Sequence, residues 1–212
     1  NVAVDGPIGY KLEVPPMHPV LFSTTLQGFG EAHAQLMREF ATSHAMLALL
    51  RDGFHPQSPG GTVQLRDDGS PVLDYPITDF VWDGVRRSWL AMAELQFAAG
   101  AKRVYVVHEQ CTGYASWAEA KAGIGQLPLK NQLARIVSAH VMGGCGMAAD
   151  GKQGVTDAWG RYRGLGNLSV CDGSLFPTSI GANPQLSVYG LAARNASRLA
   201  EELTKQPAPA LA

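Results

Sequence analysis

The order of elements written along the chain predicts an α+β fold, on three observations. Leu36, Phe40, Leu47 and Leu50 recur near helical spacing between Glu31 and Leu50, and a second helical pattern runs from Asp79 to Ala99. Between them, Gly60 to Tyr75 alternates, turns at an Asp-Gly pair and alternates again, as a β-hairpin does. The regular strand–helix–strand beat of a complete parallel sheet is missing. With 212 residues, 46% hydrophobic and 17% charged, the chain is globular and long enough for a sizeable core in one domain or one and a half. A net charge of −1 leaves no electrostatic footprint for nucleic acid or an anionic membrane, so small neutral partners fit better.

From the start, Asn1 to Leu26 mixes apolar residues with Gly6-Pro7, Pro15-Pro16 and Pro19, which predicts extended segments broken by turns. The helix over Glu31 to Leu50 should end at Asp52-Gly53, and the hairpin should turn at Asp67-Asp68-Gly69-Ser70. In the second helix Val81, Val85, Trp89, Met92 and Phe97 supply apolar area, Asp79 is placed to cap it and Gly100 to stop it. Arg103 to His108 reads as a strand, and Ser116 with Glu119 as a capping box. Leu168 to Val170 reads as a short buried strand that opens into the turn formers Cys171-Asp172-Gly173-Ser174. Asn183-Pro184 then pairs an N-cap residue with proline at the first helical position of a last helix containing Leu186, Tyr189, Leu191, Leu199 and Leu203. The Pro/Ala-rich tail after Thr204 is expected to fray.

Two places carry polar groups that a buried loop should not. His140 is followed by Gly143, Gly144 and Gly146, which lets the backbone approach a ligand closely. The first turn of the last helix offers unpaired N–H groups and a positive dipole end, suited to an anion or an electron-rich carbonyl. Taken one residue at a time, His140 is a satisfied loop or core histidine, Asn183 a helix cap and Asp172 to Ser174 an ordinary turn.

Taken together, these residues resemble the C-terminal signature of the glucose-methanol-choline (GMC) oxidoreductases, FAD enzymes that oxidise alcohols. The matching positions are His140 with Gly143, Cys145 and Met147, then Asp172-Gly173-Ser174 with Pro177, then Asn183-Pro184. The spacing from His140 to Asn183 is similar to that between the family's two catalytic residues. K-L-E-V-P-P-M-H-P-V near the start and V-C-D-G-S-L-F-P-T-S-I-G-A-N-P look most like the long-chain alcohol oxidase branch. Where the family usually has G-T-C-R-M-G, this chain has Gly143-Gly144-Cys145-Gly146-Met147-Ala148, so a hydroxyl and a guanidinium are missing from the turn.

The resemblance implies an antiparallel-sheet substrate domain with packed helices in residues 1–137. It also implies a signature segment in 138–204 that completes an FAD-binding α/β domain, and a flexible tail in 205–212. Oxidising an alcohol needs a group that takes the hydroxyl proton, and imidazole suits that task near neutral pH. His140 is the implied base and later acid. Asn183 would hold the alcohol oxygen so that the C–H bond points at the flavin. Asp172, Gly173 and Ser174 would lie along the ribityl and pyrophosphate part of FAD, and Asn183, Pro184 and Gln185 would edge its ring. Gly28-Phe29-Gly30 continues as Glu31-Ala32-His33 and lacks the third glycine of G-x-G-x-x-G. The dinucleotide-binding half is therefore expected upstream or on another polypeptide. The expected substrate is a small-molecule alcohol, primary and apolar or long-chain. Competing expectations are a flavin-bound lyase and a non-catalytic binding or assembly half.

The remaining features point to less. Cys111, Cys145 and Cys171 have no C-x-x-C spacing, so neither a disulfide framework nor a zinc site is suggested, and Cys145 and Cys171 read as buried small hydrophobes. His18, His33, His44, His55 and His108 lack paired ligand spacing, so no metal is expected. Trp82, Trp89, Trp117 and Trp159 read as core. Asn167-Leu-Ser and Asn195-Ala-Ser match glycosylation acceptors by chance. No transmembrane stretch and no export signal is read, so a cytoplasmic or membrane-peripheral place is expected.

Overall fold

The computed structural model describes residues 5–208 and divides into two compact units, Asn1–Val137 and Ser138–Ala212. In the first, strand β1 (Tyr10–Glu13) pairs antiparallel with β2 (Leu47–Leu50), Tyr10 facing Leu50 and Glu13 facing Leu47. Two expectations are corrected here. Pro19–Thr25 is a short helix, α1, rather than extended chain, because Pro19 takes the first helical position and His18 Nδ1 accepts the Val20 N–H at 3.3 Å. The predicted helix over Glu31 to Leu50 is broken: α2 covers Gly30–Arg38, a 3₁₀ turn covers Phe40–Thr42, and the rest joins β2. The hydroxyls of Thr42 and Ser43 bond back to the Glu39 carbonyl at 3.1 and 2.8 Å, which closes the helix, and β1 supplies the partner that turns an apolar run into a strand.

The hairpin forms as expected. Strands β3 (Thr62–Leu65) and β4 (Pro71–Asp74) pair antiparallel, Asp68 Oδ1 accepts the Ser70 N–H at 2.9 Å, and Gly69 takes φ +80° at the tip. Helix α3 (Asp79–Ala98) follows, with Gly100 at φ +94° just past its end. Its cap position is Thr78 and not Asp79, and the Thr78 hydroxyl donates instead to Gln57 O at 2.7 Å. Asp79 sits in the first turn, where its charge meets the dipole.

Helix α4 (Trp117–Gln126) packs on α3. Trp82, Val85, Trp89 and Ala93 meet Val106, Ala120, Ile124, Leu127 and Ala134 in the core. The capping box holds: Ser116 Oγ accepts from Glu119 N–H at 3.2 Å, while the Glu119 carboxylate accepts from Ala115 N–H at 2.9 Å, one residue before the cap. The strand expected over Arg103 to His108 is reduced to single bridges, Val104 to Tyr114 and His108 to Ala134. The N–H of buried His108 turns back to Val106 O at 2.8 Å, which interrupts the extended run. Its Nδ1 accepts from Gln110 N–H, so Nε2 carries the proton that bonds Pro128 O at 3.0 Å, and the ring meets Trp89 edge-on.

The second unit is loop-rich around one long helix, α5 (Gln185–Thr204). The strand expected at Leu168 to Val170 is only a bridge, Ser169 to Arg161. Val170 N–H donates to Gly160 O at 2.8 Å, which turns Cys171 outward, so this thiol is exposed and not a buried hydrophobe. All three cysteines are free. A 3₁₀ turn covers Gly173–Leu175, with Leu175 fully buried. Helix α5 is capped by Pro184 rather than by Asn183. Pro184 itself takes near-helical angles, φ −87° and ψ −7°, and its carbonyl accepts the first helical bond from Val188 N–H at 2.8 Å. The far half of α5 is held by Arg194, which lies 3.6 Å over the Trp159 ring and donates to Ala158 O at 2.8 Å. Buried Asn195 and an Arg161–Glu202 ion pair complete this contact. Lys205 ends α5 at φ +59°, and Ala208 N–H returns to the Glu201 carboxylate at 3.2 Å. Residues 1–4 and 209–212 lie outside the described residues. Among the described residues no helix is long and apolar enough to cross a membrane.

Candidate functional site

His140 is followed by a glycine-rich turn. Gly143 takes φ +94°, a left-handed conformation that favours glycine, and Gly146 lies against Pro177, where a Cβ would be 3.4 Å from Pro177 Cα. Past the turn the chain runs alongside the 3₁₀ segment: Cys145 N–H donates to Ser174 O at 3.0 Å and Met147 N–H to Leu175 O at 2.9 Å. The histidine's turn and the Asp172-Gly173-Ser174 turn are therefore joined by main-chain bonds.

Gly173 is the meeting point. A Cβ there would lie 3.1 Å from Val141 O, 3.8 Å from Met142 Cγ and 3.7 Å from Val188 Cγ2 in the first turn of α5. Three segments distant in sequence thus converge on one glycine. Beside it, Asp172 Oδ1 accepts both the N–H of Ser174, at 2.8 Å, and the Ser174 hydroxyl. Those two bonds hold the Asp172 carboxyl below the usual carboxylate range. They also engage the Ser174 side chain, so beside the exposed Asp172 carboxylate this turn offers a ligand its main chain.

The same holds at the start of α5. The Gln185 side-chain amide donates to the Tyr189 hydroxyl at 2.6 Å. The main-chain N–H groups of Gln185, Leu186 and Ser187 precede the first intrahelical bond and have no partner within the helix. His140 is half-buried, and Asn183 is exposed in the loop before α5. The contacts nearest to Gly173 are made by Val141, Met142 and Val188 rather than by His140 or Asn183 themselves.

One residue of this arrangement escaped the sequence reading. Thr156, with no exposed surface, donates its hydroxyl to Cys145 O at 2.9 Å, while Ala148 N–H donates to Thr156 O at 3.1 Å. The only available signal was indirect: the turn lacks a hydroxyl of its own at Gly144. Among the described residues no group of three or more His, Cys, Asp or Glu could hold a metal ion.

An α+β chain with a glycine-rich histidine turn bonded to an Asp-Gly-Ser turn defines a class, and comparison with known proteins names it. Residues 56–192, more than half of the chain, match the GMC oxidoreductase family, and the chain belongs to that family. It is 23% identical over 196 residues to an uncharacterized GMC-type oxidoreductase, y4nJ, of Sinorhizobium fredii, covering 92% of this chain and 37% of the relative. It is 26% identical over 189 residues to the long-chain-alcohol oxidase FAO4A of Arabidopsis thaliana, covering 85% and 25%. A cholesterol oxidase of Acinetobacter baumannii is 42% identical over 57 residues, 27% of this chain and 10% of the relative. The chain thus spans between a quarter and two fifths of the length of the first two curated relatives.

Proposed function

We propose that this chain is the substrate-domain and C-terminal part of an FAD-dependent alcohol oxidoreductase that oxidises a primary, apolar or long-chain alcohol to the aldehyde. The observation that carries this reading is the convergence at Gly173, which sets the His140 turn, the Asp172 turn and the first turn of α5 side by side. In this reading residues 1–137 bind the substrate, and 138–204 complete an FAD-binding domain whose G-x-G-x-x-G half comes from upstream or from a separate polypeptide.

The residues fit such a cofactor. A side chain at Gly173 would crowd Val141 O at 3.1 Å, Ser174 and Gln185 have their side chains engaged, and N–H groups of α5 are left over in its first turn. Asp172, Gly173, Ser174, Asn183, Pro184 and Gln185 would hold it, chiefly through main chain. FAD, when bound, supplies the acceptor for the hydride. His140 takes the hydroxyl proton of the alcohol and holds it on its ring, and the Asn183 amide orients the alcohol oxygen by hydrogen bonding. The N–H groups of Gln185, Leu186 and Ser187 favour negative charge beside them. Relatives named for long-chain alcohols and for cholesterol support an apolar alcohol as substrate.

The test is anaerobic mixing of the full-length flavoprotein with a long-chain primary alcohol. Bleaching of the visible flavin band, with aldehyde formed in equal amount, is the expected result. An unchanged band would overturn the oxidation reading and favour the lyase alternative.

A further inference from the structure

The buried hydroxyl of Thr156 belongs to no part of the chemistry so far, yet it sits behind the turn that carries His140. Thr156 Oγ1 donates to Cys145 O at 2.9 Å, and the N–H of Cys145 donates to Ser174 O at 3.0 Å. Ser174 in turn bonds Asp172 through both its N–H and its hydroxyl. The chain of bonds therefore runs from Thr156, through Cys145 and Ser174, to Asp172. Thr156 is also gripped at its own main chain, by Gly146 O on one side and Ala148 N–H on the other, and bridges to both Met147 and Tyr162. With no exposed surface it has no water to exchange for Cys145 O. The turn it serves is rich in glycine: Gly143, Gly144 and Gly146 flank Cys145, so main-chain freedom there is large unless something outside the turn removes it.

We propose that Thr156 is a positioning residue for His140, its hydroxyl fixing the glycine-rich turn against Asp172 and Ser174. The inference rests on the reading of His140 as the base, and deepens it by naming what keeps that base in place. Removing the hydroxyl while keeping the side chain's shape frees Cys145 O, lets the turn sample other conformations and moves the imidazole away from the proton it must take. A displacement of that kind lowers the rate of the chemical step and leaves the affinity for the alcohol nearly unchanged, whereas mere loss of stability would do neither at temperatures where the protein stays folded.

The experiment compares Thr156→Val and Thr156→Ser with the wild type in the full-length flavoprotein. It measures anaerobic flavin reduction by a long-chain primary alcohol and hydrogen exchange at the amides of Cys145 and Met147. Thr156→Val should reduce flavin about tenfold more slowly at saturating alcohol with KM unchanged, and exchange should quicken at both amides; Thr156→Ser should stay within about twofold of wild type on both counts. A wild-type reduction rate in Thr156→Val, or equal losses in the Val and Ser variants, overturns the inference. If wild-type protein does not reduce flavin with alcohol, the proposed function fails; the exchange measurement then judges the clamp alone, and unaltered exchange in Thr156→Val removes it. Should Thr156→Val not fold, Thr156→Cys takes its place beside Thr156→Ser: a slower Cys variant supports the inference, and indistinguishable variants overturn it.

Discussion

The main-chain N–H of Cys145 donates to the carbonyl of Ser174 at 3.0 Å, and this bond ties the turn after His140 to the turn that begins at Asp172. Both strands of that contact are main chain, so its geometry is set by glycine placement and by the groups that lock each turn. Substitutions that test it therefore fall into two kinds: those that change a reacting side chain and those that change how closely backbones approach.

Replacing His140 by alanine removes the proposed base without touching the bonds of Cys145 or Met147. Flavin reduction by alcohol should slow by about a hundredfold or more, with folding unchanged. Rapid-mixing spectroscopy of the full-length protein checks this, and an unaltered rate would take His140 out of the mechanism.

Gly173→Ala places a methyl group 3.1 Å from Val141 O, so that backbone must give by a few tenths of an ångström, with Val188 in ordinary contact at 3.7 Å. We expect a loss of about 1–3 kcal/mol, typical of overpacking. Chemical denaturation should report it. Flavin content after purification should fall in parallel, because the same glycine lies where the proposed cofactor passes.

The Asp172 turn should be acid-sensitive. Its bonds from the Ser174 N–H and hydroxyl lower the folded-state pKa, so the unfolded chain binds a proton more readily. The stabilisation is present above the ordinary carboxylate pKa of about 4 and is lost as pH falls through the depressed folded value. Asp172→Asn should flatten this part of the stability profile. Denaturation of both proteins across the acid range is the measurement, and an equal slope in the two would remove Asp172 as its source.

If the start of α5 acts through main-chain N–H groups, side-chain loss and N–H loss must differ. Gln185→Ala should leave flavin affinity within about twofold, whereas Leu186→Pro, which deletes an N–H in the first helical turn, should weaken it about tenfold. Flavin titration of the apoprotein separates the two, and equal affinities would argue for side-chain recognition instead.

Local chemistry was legible wherever it was self-contained. The alternation around Asp68-Gly69, the long apolar face of α3 and the Ser116–Glu119 pair each carry their partners within a few residues. What depends on a distant partner was not. Leu47 to Leu50 looks like the end of a helix until Tyr10 to Glu13 comes alongside it, and Cys171 looks buried until Val170 is bonded to Gly160. At the site, the residue types at 140, 172 and 183 were readable from the motif, but the meeting of Val141, Met142 and Val188 around Gly173 depends on how separate turns pack. Thr156 was invisible for the same reason: its importance lies in a carbonyl eleven positions earlier in the chain.

Asn195 packs its amide beside Gly160 in the second unit, where even a methyl on that glycine would meet it at 3.1 Å. A sugar on that nitrogen would hold the loop open and keep Arg194 from closing over Trp159. Passed through a glycosylating secretory host, folded molecules should therefore carry at most one glycan, on exposed Asn167.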